Sequence, residues 1–325
     1  MFLSIRPTVP EDLPGVFLFI RKRFHIPATE TKDLQKMWTR ILLEGECNCT
    51  VIEDTDRPEG EQIVSYIMTY CVPAPMVDFA RTQAPPFLWR WTLQRWKQGQ
   101  PVWLDKKEAR KIQVDGQISV IGHIAADVYR YSGIELGRIN NMHSATAARD
   151  LAGQRVHYYL TEVYDLVMRE RFISHGFKVL SDYRSFQDDP AYAALPVKER
   201  PFLMLADLHK AAEDMSLQDT SIGRAALSGT PRYGFSEPEQ EVMKLGLLGL
   251  TDQGIAERLG LSLVAIKKRW EGIYDKVNEK SFRQALENTD DGGAPAKAGR
   301  RQVLQMMAEH PEEFRPSPAK KRSLK

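Results

Sequence analysis

The chain has 325 residues, 42% of them hydrophobic and 27% charged, with a formal net charge of +2. That balance fits a soluble globular protein with room for two domains, and it excludes collagen-like, low-complexity and membrane-spanning chains. Any nucleic-acid reading has to depend on where the charges sit, not on their sum.

The first dozen residues are broken by Pro7, Pro10, Glu11 and Asp12 and carry no apolar core of a signal peptide. No apolar run is long enough to cross a bilayer. Cys47, Cys49 and Cys71 are too few for a disulfide framework and lack the partners of a zinc site. Buried reduced thiols, no metal, no membrane and a cytoplasmic location are therefore expected.

Residues 1–206 are rich in aromatics and alternating apolar runs, which predicts a mixed α+β domain. Leu3–Arg6 starts a strand, Pro10–Phe24 and Thr31–Leu43 suit helices, and Cys47–Glu53 with Gln62–Val72 read as a hairpin. Residues 73–116 read as irregular and hold Trp89, Trp91, Trp96 and Trp103, whose indoles suit a core, a protein interface or a ligand pocket. Ile118–Ala125 reads as a strand, Gln154–Ser174 as a long helix ending at Gly176, and Phe177–Leu180 and Phe202–Ala206 as final strands. Residues 207–232 are polar and read as a partly helical linker, and 233–287 as helical throughout. Residues 288–325 read as a mostly flexible tail with a short helix at Arg300–His310.

Within 233–287 the punctuation is regular. Ser236 and Glu239 form a capping box, Gly249 ends the first helix, Thr251 caps a second, Gly260 ends it, and Ser262 caps a third. On a helical wheel Ile266, Trp270, Ile273 and Val277 share one face, which predicts core. Val264, Lys267, Lys268 and Glu271 then face away, with Arg269 at the boundary, the placement expected of groups that enter a major groove or reach phosphate.

This run resembles the LuxR-type (GerE-type) helix-turn-helix, in Glu241-Val242, Gly249, Ile255-Ala256, Leu261-Ser262, Ile266-Lys267 and Ile273-Tyr274-Asp275-Lys276-Val277. The resemblance implies an all-α, four-helix DNA-binding domain that works as a homodimer. It assigns Thr251, Ser262, Val264, Lys267, Lys268, Arg269 and Glu271 to double-stranded DNA. It assigns Phe282, Ala285 and Leu286, on a fourth helix over 281–287, to dimerisation. The chain departs from the pattern at Ala265, at Asp252-Gln253-Gly254 and at the bulky Trp270.

The N-terminal region resembles GNAT-type acetyltransferases in Ser4–Leu13, in Asp150–Leu160 and in His175-Gly-Phe-Lys-Val179. The resemblance implies a mixed sheet over 1–206 and a loop whose backbone amides, at a helix N-terminus, bind the pyrophosphate of coenzyme A. Gly153 stands for that loop's first glycine and Arg155 replaces its second. The expectation is a degenerate cofactor loop and lost acetyl transfer. Glu135 and Glu162, with His123, His143 and His157, have no partner legible in the sequence, so no catalytic residue is assigned. An acyl-homoserine-lactone sensor is disfavoured because the Trp and Tyr framework is missing around Asp189-Pro190.

The expected function is a non-enzymatic, DNA-binding transcriptional regulator. Its N-terminal domain would sense a small-molecule effector or a partner such as RNA polymerase, and it would need no cofactor. The alternative is an active acyl-CoA-dependent N-acyltransferase with a DNA-targeting domain.

Overall fold

The computed structural model describes residues 2–83, 85, 87–127, 130–186, 193, 195–227, 229–288 (backbone only over 281–288) and 299–316. The chain divides into two compact units, Met1–Leu227 and Ser228–Lys325.

The N-terminal unit is built on a seven-stranded sheet of order β1-β2-β3-β4-β5-β7-β6. The strands are β1 (Leu3–Pro7), β2 (Cys47–Asp54), β3 (Ile63–Val72), β4 (Ile118–Ala126), β5 (Val156–Val163), β6 (Phe177–Asp182) and β7 (Phe202–Asp207). Every neighbouring pair is antiparallel except β4 with β5, which is parallel. A parallel pair needs a crossover, and α6 (Gly133–Ala152) supplies it.

Successive side chains of a strand point to opposite faces, so each strand feeds two cores. One face buries Tyr66, Met68, Tyr70, Ile121 and Leu160 under α1 (Leu13–Arg23), α2 (Ala28–Glu44), α3 (Ala74–Gln83) and α4 (Leu88–Lys97). The other buries Val120, Tyr159, Val163, Phe177 and Met204 with α5 (Lys106–Asp115), the end of α6, α7 (Leu166–Ser174), α8 (Leu208–Glu213) and α9 (Ser221–Leu227). The segment after β7, read in the sequence as linker, thus packs Leu208, Ala211, Ile222 and Ala225 into this second core.

The first strand, the first two helices, the hairpin and the final strands fall where the sequence places them. Two stretches do not. Residues 73–116 form the helices α3, α4 and α5; Trp89 and Trp91 are core, and the Trp89 indole donates to the Phe24 carbonyl at 2.9 Å. The long helix expected over Gln154–Ser174 is β5 followed by α7, because Tyr159, Thr161 and Val163 alternate with Tyr158, Leu160 and Glu162 across the sheet. The long helix lies earlier, as α6. Its inward positions, Ile139, His143, Thr146, Ala147 and Leu151, are mostly small or polar and leave little apolar periodicity to read.

Among the described residues the C-terminal unit holds the helices α10 (Glu237–Leu247), α11 (Asp252–Leu259), α12 (Leu263–Asn288) and α13 (Arg300–Glu309) and no strand. The expected caps are present. Thr251 accepts from Gly254 N at 3.1 Å, Ser262 from Ala265 N at 3.2 Å, and Gly260 ends α11 in the left-handed region. Ile266, Trp270, Ile273 and Val277 are buried together with Val303, Met307 and Phe314.

The departures at Asp252 and Trp270 belong together. The indole donates to Asp252 Oδ1 at 3.1 Å, and Arg300 of α13 pairs with the same oxygen at 2.6 Å. A separate fourth helix over 281–287 is not present: α12 runs unbroken through those residues, since no Gly or Pro interrupts Val277–Ser281. The side chains of Phe282, Ala285 and Leu286 lie outside the described residues, as do Asp189-Pro190, 289–298 and 317–325.

Candidate functional site

The parallel pair does not stay paired. Contacts between β4 and β5 run from Ile118 opposite Val156 to Gly122 opposite Thr161 and then stop. Beyond that point His123–Ala126 pair only with β3, and Glu162–Val163 only with β7. Thr161 Oγ1 donates to the Gly122 carbonyl at 2.9 Å and marks the apex. Past it the carboxyl ends of two parallel strands diverge, and that is where open α/β sheets receive ligands.

The helices that follow the two strands begin differently. On α7, Asp165 caps the first turn by accepting from Met168 N at 2.7 Å, and it pairs with Arg23 at 2.5 Å. On α6, Ser132 makes no side-chain cap. Gly133 adopts φ +53, and apart from its chain neighbours and the helix's own backbone nothing among the described residues lies within 4 Å of where a Cβ on Gly133 or Gly137 would stand. The first turn of a 20-residue helix thus offers an uncapped, bare stretch of backbone at its positive end.

Titratable groups lie on both faces of the opening. On the α1–α4 face, Glu162 is buried and accepts from Leu88 N at 2.8 Å and from the Tyr164 hydroxyl at 2.9 Å. Burial pushes its carboxyl up to about 8, against the pull of those two donors. His123, enclosed by the rings of Phe24, Trp38 and Tyr70, is pushed down to about 3 by burial and stays neutral.

On the opposite face, α6 and α7 roof a cavity floored by Ile124, Tyr159 and Phe177. His143 projects into it from α6 and is also pushed down to about 3 by burial. Arg171 of α7 ties the roof together through Asn141 Oδ1 at 2.9 Å and Ser144 Oγ at 3.3 Å.

Sequence reasoning missed most of this. Glu162 is not isolated, because its partners Leu88 and Tyr164 come from α4 and from the residue after β5. Tyr158, Tyr159 and Tyr164 do not lie on a helix. Gly153 and Arg155 do not open one either. Gly153 is the C-cap of α6, and Arg155 lies in the turn to β5, with its amide held by Gln113 Oε1 at 3.0 Å and its guanidinium by the Val114 carbonyl at 3.1 Å. A helix C-terminus presents carbonyls and partial negative charge, so this turn is the wrong end for pyrophosphate.

In the C-terminal unit, Thr251, Ser262, Val264, Lys267, Lys268 and Glu271 are exposed and Arg269 is half-buried. Cys47, Cys49 and Cys71 form no disulfide. Among the described residues no group of three His, Cys, Asp or Glu could hold a metal ion, and no helix is long and apolar enough to cross a membrane.

No protein-family model matches the chain, and no curated protein does. Solved structures do, at low identity. The C-terminal condensation domain of Ebony, in complex with beta-alanyl-dopamine, is 11% identical, with 64% of this chain and 99% of that one covered and a TM-score of 0.40. FeeM, an N-acyl amino acid synthase from uncultured soil microbes, is 11% identical, with 67% and 96% covered and a TM-score of 0.36. Arabidopsis thaliana NAA60, in complex with acetyl-CoA, is 13% identical, with 63% and 98% covered and a TM-score of 0.36.

These matches correct two expectations. The names of these matches include an N-acyl amino acid synthase and a complex with acetyl-CoA, and the reading as a non-enzymatic LuxR-type regulator gives way to the acyltransferase alternative. At this identity and TM-score the likeness transfers no chemistry to this chain, whose own geometry has to supply it.

Proposed function

We propose that the N-terminal unit is an acyltransferase that moves an acyl group from a thioester donor of the acyl-CoA type to an amine. One observation carries the reading: β4 and β5 part beyond Gly122 and Thr161, and α6, the helix that connects them, begins without a side-chain cap. The anion site belongs to that N-terminus, around Gly133 and Gly137, instead of the turn at Gly153 and Arg155. Bare amides at the positive end of a helix suit the pyrophosphate of coenzyme A, and the missing Cβ atoms leave room for it.

The donor supplies an activated carbonyl. Held in the opening, it approaches from the α6–α7 face, and the amine meets it from the face that carries Glu162. Each carboxylate oxygen has two acceptor positions, so Glu162 keeps capacity beyond Leu88 N and the Tyr164 hydroxyl. With its carboxyl raised to about 8, Glu162 is matched to taking a proton from an ammonium near neutral pH. As the C–N bond forms and the C–S bond breaks, the amine proton passes to Glu162, and the thiolate leaves to be protonated by water.

Calorimetry with acetyl-CoA and longer acyl-CoA thioesters, followed by thiol release with a panel of amines, tests the reading. Binding together with amine-dependent thiol release above the buffer rate is expected. Neither signal with any thioester would overturn it.

A further inference from the structure

Tyr159 is held in an unusual way. Its phenol lies across the sheet against bare β4 backbone: a Cβ added at Gly122 would fall 2.2 Å from the Tyr159 hydroxyl oxygen and 2.4 Å from Cε2. Only glycine lets the ring lie there. Gly122 is also the last β4 residue paired with β5, so the hydroxyl sits at the apex where the strands begin to part. The ring is 2% exposed and its edge packs against Phe177, yet the hydroxyl has no hydrogen-bond partner among the described residues.

A buried hydroxyl without a partner is costly to a fold, and nearly all find one. A second such atom lines the same cavity: His143 Nε2, on a side chain 3% exposed. The rest of the lining is largely apolar, with Ile124, Ala147, Leu151, Met168, Phe172 and Ile222. The cavity of about 50 Å³ has room for roughly three water molecules. Two unpaired polar groups facing one cavity beside the divergent strands are an arrangement that a ligand with an acceptor oxygen would complete.

We infer that Tyr159 is a catalytic residue of the proposed transfer: its hydroxyl donates a hydrogen bond to the carbonyl oxygen of the acyl donor at the apex of β4 and β5. The inference rests on the acyltransferase reading and adds the group that stabilises the developing charge. When the amine nitrogen attacks, the carbonyl electron pair moves onto oxygen, and the phenol bonds to that oxyanion without giving up its proton. The pair returns as the C–S bond breaks and the thiolate departs. Burial raises the phenol above its ordinary value, so it remains a donor throughout the working pH range. A fixed donor aimed at developing charge in a water-poor site is among the most effective contributions a protein makes to such a reaction.

The test is Tyr159→Phe in the full chain, followed by thiol release and thermal melting. Removing one donor of this kind costs about a hundredfold in kcat with a smaller change in KM. Because the lost hydroxyl had no partner, the melting temperature should match or exceed that of the parent, a result no structural hydroxyl would give. Gly122→Ala, which displaces the ring, should lower kcat in the same sense.

Turnover within a few-fold of the parent in Tyr159→Phe would overturn the role of Tyr159 and leave the acyltransferase reading standing. A clear drop in melting temperature would overturn it as well, by showing the hydroxyl to be structural. A parent protein that turns over no thioester with any amine would overturn both.

Discussion

Trp270 and Tyr159 are both large aromatic residues with a polar atom drawn into a core, and the two units treat that atom differently. In the C-terminal unit the Trp270 indole finds Asp252, and Arg300 completes the pair from α13 while lying 5.0 Å from the ring centroid. Glu313 follows the same rule: its buried carboxylate accepts the amides of Arg232 and Tyr233. In the N-terminal unit the Tyr159 hydroxyl and His143 Nε2 remain unpaired. Around Trp270 the indole and its acceptor satisfy each other. Beside the parted strands the fold leaves donors waiting, and function is to be sought there.

The most forceful way to break the paired side of this comparison is Trp270→Ala. It removes a buried aromatic ring and strands Asp252 and Arg300. A loss of roughly 3–5 kcal/mol from the C-terminal unit is expected. Hydrogen exchange across the full chain would check it, with protection lost over 237–277 and kept over β3 and β4. Uniform loss would show that the two units do not melt separately.

Glu162→Gln sharpens the other side. As the proposed base, its removal should lower turnover by about a hundredfold or more, and parent turnover should rise with pH as the carboxyl ionises near 8. Stability should move the opposite way. The Glu162 carboxyl is raised from 4.5 to about 8 by burial, so between those values the unfolded chain has released a proton that the folded chain keeps. Stability attributable to this group therefore falls as pH climbs through that window. Glu162→Gln should flatten the fall, with a melting temperature above that of the parent at alkaline pH and the gap closing toward pH 4.5. Melting curves that stay parallel at all pH values would remove Glu162 from the role.

The smallest effect is expected from Arg155→Ala. It deletes one hydrogen bond, to the Val114 carbonyl, worth about 0.5–1.5 kcal/mol. Calorimetry should find acyl-CoA affinity unchanged, since the turn after α6 is the wrong end of the helix. A marked change in affinity would return the anion site to Gly153 and Arg155.

The sequence by itself determined whatever short-range chemistry writes down. The caps at Ser236, Thr251 and Ser262, the stop at Gly260 and the wheel of Ile266, Trp270, Ile273 and Val277 are local, and the C-terminal helices follow them. The β2–β3 hairpin is legible for the same reason, as two apolar runs joined by a short turn. Only the tertiary structure decided the site. Glu162 depends on Leu88, 74 residues away, and Tyr159 depends on the absence of a side chain at Gly122, a strand apart. The parting of β4 and β5 is a property of strand register, which no single strand encodes. Because α6 buries small and polar residues, its period is hidden and Gly153 is not legible as its C-terminal cap. Once the helix is placed, its dipole disfavours an anion at its C-terminal end and makes the N-terminus at Gly133 the proposed anion site.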